Sequence, residues 1–143
     1  MLIIEYKVKA KHSQCKAIEE AIRTVQFIRN KCLGYWMDAS RDAKIDRFAL
    51  NKHSTELRSE FKFVKDLNSM AVQASAERAW LAISRFYENC KSKKSGKKGY
   101  PRFQKDNRSV EYKTSGWSLN PKKRQITIQV RSAASVAKKF KKS

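Results

Sequence analysis

The stretch SMAVQASAERAWLAISRFYE, residues 69–88, decides the fold. Val72, Ala76, Ala79, Ile83 and Phe86 recur at spacings of three and four, which gathers them into one apolar stripe on a helix, with Trp80 and Tyr87 at its margin. A stripe of this width must be covered, so the segment reads as the centre of a helical bundle and its aromatic rings as packing groups. A partner helix lies upstream, with Ser13 as its expected N-cap. There Ile18, Ile22, Val25, Cys32 and Trp36 fall on one face, Ile28 and Leu33 widen it, and Glu19 and Arg23 sit four apart on the polar side. A polar joint over residues 41–46 precedes a short helix expected at residues 54–61, capped by Ser54 or Asn51.

The flanks follow another period. Residues 2–9 are rich in β-branched and aromatic types and end in alternation, as a half-buried strand does. Residues 91–101, KSKKSGKKGYP, break the helix with glycine and proline and bring together five lysines that need counter-charge, so they read as a loop. Beyond it Val110, Tyr112 and Thr114 alternate with polar residues, as do Ile126, Ile128 and Val130, with a turn at Asn120-Pro121 between the two strands. The order of strand, helices and strands predicts an α+β fold in which the first strand pairs with the late ones and the helices form an insertion.

Charge gives the direction for function. The 143 residues carry 33 lysines and arginines against 13 acids, a net of +20. Residues 1–90 hold 16 basic and 11 acidic residues, whereas residues 91–143 hold 17 and 2, so the second part makes most of the field. Such an excess repels itself and suits a polyanion, whose released counterions drive association. Tyr100, Phe103, Tyr112, Trp117 and Phe140 are interleaved with the charges, which favours nucleic acid over a membrane surface. No run is long and apolar enough to span a bilayer, and the start is too short and charged for a signal peptide. Three widely spaced cysteines, Cys15, Cys32 and Cys90, do not suggest a disulfide framework. A cytoplasmic, nucleoid-associated protein with no small-molecule substrate is the expectation.

The residues offer no catalytic constellation. Asp38, Asp42 and Asp46 share a four-residue spacing but lie among Arg41, Lys44 and Arg47, as an exposed mixed-charge turn would. His12 and His53 stand apart from any metal-ligand spacing, and residues 94–99 lack the glycine and lysine spacing of a phosphate-binding loop. What stands out is residues 95–105, SGKKGYPRFQK. Small residues there let the backbone approach phosphate, the lysines supply charge, and Tyr100 and Phe103 offer rings to a base or to the core.

Phe27-Ile28-Arg29-Asn30-Lys31 is similar to the R-F-V-Y-N-x-x-L segment of OrfB/TnpB proteins, which are transposon-encoded transposases or RNA-guided DNA endonucleases. The helix bearing Ala71-Val72-Gln73, then Gly96-Lys97-Lys98-Gly99-Tyr100-Pro101-Arg102-Phe103 and Tyr112-Lys113-Thr114, resembles the N-terminal part of the same family over residues 1–128. The resemblance implies a helical recognition lobe inserted into a partial wedge-type antiparallel β-barrel. Residues 1–10 would be the first wedge strand, 11–95 the lobe, 96–130 the remaining wedge strands with the basic loop, and 131–143 a basic tail. It further implies contacts with a guide-type RNA and with double-stranded DNA beside the target. Ser54 and Gln73 match lobe positions near the DNA motif, and Thr114 and Trp117 a wedge strand; Gln73 suits base-edge readout. Lys94, Lys97, Lys98, Tyr100, Arg102, Lys105, Tyr112 and Lys113 complete the expected contact set.

This sequence departs from the family in ending before the RNase H-like domain with its three catalytic acids and before the zinc-binding insert. Divalent metal and zinc are expected only for those parts, and this chain is expected to bind without cutting. Its tail resembles the product of a frameshift or early stop. Lys11-His12-Ser13-Gln14 also lacks the family's acidic capping residue. The rival expectation is a structural RNA-binding protein of ribosomal type.

Overall fold

Helix α1, His12–Asp38, buries Ala21, Val25, Ile28, Cys32 and Leu33 on one face. Ala21 to Cys32 step by three or four and so stay above one another along the helix, and Leu33 widens the face. The computed structural model describes residues 2–40, 42–92, 95–131 and 134–142. The helix begins one residue before the expected cap: its N-cap is Lys11, whose backbone N–H donates to Gln14 Oε1 at 3.0 Å, and Ser13 lies in the first turn. Gln14 thereby satisfies one of the amide groups left without an intrahelical partner.

Helix α2, Arg47–Glu60, is longer than the 54–61 expected. Asp46, within the expected joint, is the N-cap and accepts from the Ala49 N–H at 2.9 Å. Asn51 and Ser54 are therefore interior residues. Leu50 and Leu57, seven apart, are the buried anchors that draw the first turns onto the bundle. Arg41, which opened the expected joint, lies outside the described residues.

A one-turn helix α3, Lys62–Asp66, buries Val64 and leads to α4, Ser69–Lys91, capped by Asn68 through the Met70 N–H. Val72, Ala76, Ala79 and Ile83 are buried as the stripe requires, while Phe86 is half-buried. The small residues Ala71, Ala74, Ser75, Ala76 and Ala79 are buried too, which lets α4 pack closely against α1 and α2. Trp80 packs against this core, in keeping with a packing role.

The strands β1 (Tyr6–Val8), β2 (Trp117–Asn120), β3 (Gln125–Arg131) and β4 (Ala134–Lys142) form an antiparallel sheet in the order β1-β4-β3-β2. β1 is shorter than the 2–9 expected, and it pairs with β4, placing Tyr6 opposite Lys142. The segment expected as a tail thus supplies a central strand, because its backbone is paired on both sides. The turn at residues 121–124 joins β2 to β3 as its Asn-Pro start predicts, with Asn120 Oδ1 accepting from the Lys123 N–H at 3.2 Å. β1 and β2 are edges, so the fold is α+β with an open sheet rather than a closed barrel among the described residues.

The alternation of Val110, Tyr112 and Thr114 does not make a strand; residues 101–113 have no regular secondary structure. Val110 and Tyr112 are instead half-buried against the helical core. No helix among the described residues is long and apolar enough to cross a membrane.

Candidate nucleic-acid interface

After α4 the chain turns back and runs as an extended strap against α1 and α4, which hold it chiefly by its backbone. Asn89 Nδ2 donates to the Lys98 carbonyl at 3.1 Å, and Arg29 Nη1 to the Arg102 carbonyl at 3.1 Å. Asn30 takes both sides of Gln104, donating to its carbonyl and accepting from its N–H, each at 2.8 Å. Gln26 accepts from the Asn107 N–H, Asn107 Nδ2 donates to the Ile22 carbonyl, and Arg78 Nη1 donates to the Ser109 carbonyl at 3.2 Å. This fits the lack of a ladder in the segment: side chains of two helices already occupy the peptide groups of Lys98, Arg102, Gln104, Asn107 and Ser109. Burial and the neighbouring Arg78, in that order, push the Arg29 guanidinium below its ordinary value.

Docking by the backbone leaves the cations outside. Lys97, Arg102 and Lys105 are exposed and Lys98 is half-exposed; Lys94 lies outside the described residues. Arg108, not singled out in the sequence, is exposed on the same strap. With Lys105 and Arg23 it lines a cleft of about 540 Å3 beside α1. Lone arginines carry no local pattern, so only the course of the strap reveals this convergence.

The aromatic candidates divide. Tyr100 is 55% exposed but its ring lies 5.2 Å from that of Phe86 and 5.7 Å from that of Trp36, so it anchors the strap near the ends of both long helices. Pro101 beside it is buried. Tyr112 is half-buried and its hydroxyl donates to the Gln129 carbonyl at 2.9 Å; burial pushes its phenol up to about 12. It joins strap to sheet. Trp117 is 48% exposed, with its indole N–H donating to the Lys113 carbonyl at 2.7 Å. Lys113 itself pairs with Glu77, which lowers its availability to phosphate, and Thr114 is exposed. The side chain of Phe140 lies outside the described residues.

Ser54 and Gln73 come together. Both line a cleft of about 190 Å3 between α2 and α4, with Asn51, Thr55, Arg58 and Ser69. Ser54 is only 3% exposed and donates to the Asn51 carbonyl at 2.7 Å, so its hydroxyl serves the helix first. Asn51 Oδ1 is buried with no hydrogen-bond partner among the described residues, an acceptor whose desolvation is uncompensated. Sequence reading placed Asn51 at a helix cap and so missed it as a cleft residue.

Among the described residues no group of three or more His, Cys, Asp or Glu side chains is arranged to hold a metal ion. No family model matches the chain, and no curated protein is similar to it in sequence.

Proposed function

We propose that the chain binds nucleic acid mainly through phosphate, with Lys97, Lys98, Arg102, Lys105 and Arg108 as the principal contacts. The observation that carries this reading is the strap itself: side chains of α1 and α4 hold its peptide groups at Lys98, Arg102, Gln104, Asn107 and Ser109, while its cationic side chains lie at the surface. A net charge of +15 over residues 91–143 supplies the field that would gather a polyanion there.

In the finer form of the proposal, the helices act as the recognition lobe and the sheet as the wedge of an OrfB/TnpB-type protein. They grip a guide-type RNA and present double-stranded DNA to the cleft holding Gln73, without cutting it. Gln73, half-buried in that cleft, offers an amide donor and an acceptor to a base edge. This needs only binding from the residues present.

The test is a salt series of mobility shifts on duplex DNA and on a structured RNA. Affinity is expected to fall linearly on logarithmic axes, and Arg102→Ala with Lys105→Ala to reduce the slope by about 1 for each phosphate that is no longer neutralised. Gln73→Ala is expected to flatten differences between DNA sequences while leaving that slope intact. Binding indifferent to salt would remove the phosphate reading.

A further inference from the structure

A groove of about 640 Å3 lies between α1, α2 and the strap, apart from the Gln73 cleft. We infer that it holds one unpaired nucleobase of a single-stranded nucleic acid, stacked on the rings of Phe103 and Tyr35. The inference rests on the phosphate-binding reading above and adds to it a base-contacting site.

Phe103 is the first wall. It is 52% exposed although the strap on either side of it is fixed, by Arg29 to the Arg102 carbonyl and by Asn30 to both peptide groups of Gln104. Its ring is therefore held in place without being buried, which is how a stacking platform is preorganised. Tyr35 also lines the groove, its ring stacked on that of His53 at 4.4 Å and an interplanar angle of 9°. His53 in turn is held by Glu56 at 3.4 Å, so the second wall ties α1 to α2.

The floor carries an independent sign. Gly34 sits inside α1, where glycine is unfavourable, yet a Cβ there would meet only the Phe103 ring at 3.8 Å, an ordinary contact. No clash demands glycine. What its missing side chain provides is a bare stretch of α1 that the Phe103 ring faces at close range, which seats that ring against the helix.

The rim fits the occupant. Arg23 and Lys31 line the groove and Asp38 is the sole carboxylate among its lining residues, while Arg102 and Lys105 flank Phe103 along the strap. A base entering between the rings would keep its phosphates beside these cations. The volume lies in the range of sites that enclose small flat ligands. An apolar peptide side chain would use the rings but gain nothing from the charges.

The test compares two probes by fluorescence anisotropy: a single strand of about 12 nucleotides, and the same backbone with every base removed, each made as RNA and as DNA. The phosphate count is equal, so a preference for the intact strand reports the base. The full chain is expected to prefer the intact strand by about tenfold. Phe103→Leu, which keeps an apolar anchor, and Tyr35→Leu, on another element, are each expected to erase the preference while leaving binding of the abasic strand and its salt slope unchanged. Equal binding of intact and abasic strands, or variants that keep the preference, would overturn the groove assignment alone. Failure of every probe to bind at low salt would overturn the phosphate reading with it. The RNA and DNA arms decide which strand supplies the base.

Discussion

Between residues 21 and 83 lie the fifteen buried side chains of the hydrophobic core among the described residues, from Ala21 to Ile83, whereas residues 95–129 contribute to the interior the buried Pro101 and the half-buried Val110, Tyr112 and Ile128. The helical body is held by area removed from water. The strap is held by polar side chains reaching its peptide groups, and the sheet by its own ladder together with the junction at Tyr112, Asn68 and Gln129. The contrast follows from composition: residues 91–143, with 17 cations, cannot bury many of their side chains, but their backbone can still be fixed. A surface fixed in this way offers its charges to a ligand without first unfolding anything.

The largest expected effect tests the division directly. Ile28→Ala, at a fully buried position, should cost about 2–5 kcal/mol in urea unfolding, and Ile128→Ala, at a half-buried sheet position, less than half as much. Equal losses would mean that the sheet shares the helical core rather than resting on it.

A smaller effect should appear at the junction. Gly116 has φ +86°, and a Cβ there would stand 2.6 Å from Asn68 Nδ2 and 2.8 Å from the Tyr112 ring. Gly116→Ala should cost about 2 kcal/mol, combining the left-handed backbone penalty with displacement of the Asn68 side chain from Gln129. Hydrogen exchange should show protection falling in β2 and β3 while α1 and the middle of α4 keep theirs. Loss spread evenly over both would break the contrast.

The most gradual expectation concerns alkali. Desolvation pushes the Cys32 thiol from 9.0 up to about 12, which favours its neutral form in the folded state. Its contribution is therefore complete below about pH 9 and is lost as pH rises toward about 12, at no more than about 1.4 kcal/mol per pH unit. Tyr112, raised by burial from 10.0 to about 12, adds a loss of the same sign confined to the upper part of that window. Urea midpoints against pH should fall less steeply in Cys32→Ala from about pH 9 and in Tyr112→Phe only above about pH 10. Parallel curves for Cys32→Ala and the parent would show that burial of this thiol does not govern the alkaline limb.

Much of the helical body was legible because its signals are local. The α4 stripe from Val72 to Ile83 and the α1 stripe from Val25 to Cys32 repeat within single turns, and the turn after Asn120 is written in adjacent residues. The start of α2 was missed because Asp46, its cap, sits among charges that also suit a loop. Val110 and Tyr112 alternate as a strand would, yet their alternation reflects one side resting on helices. β4 was unreadable from its own residues, since a lysine-rich run becomes a strand only by pairing with β1 and β3.

By itself, then, the sequence determined two long amphipathic helices, the concentration of positive charge after residue 90, and an α+β class. Only the tertiary structure decided that Asn30 and Asn107 pin the strap, that Gln73 shares a cleft with Asn51, and that Phe103 faces a groove with Tyr35 and His53. Each of these depends on residues far apart in the chain, 74 positions in the case of Asn30 and Gln104. Periodicity reports which face of an element is apolar; it carries no information about which distant peptide group a polar side chain will meet once those faces are packed.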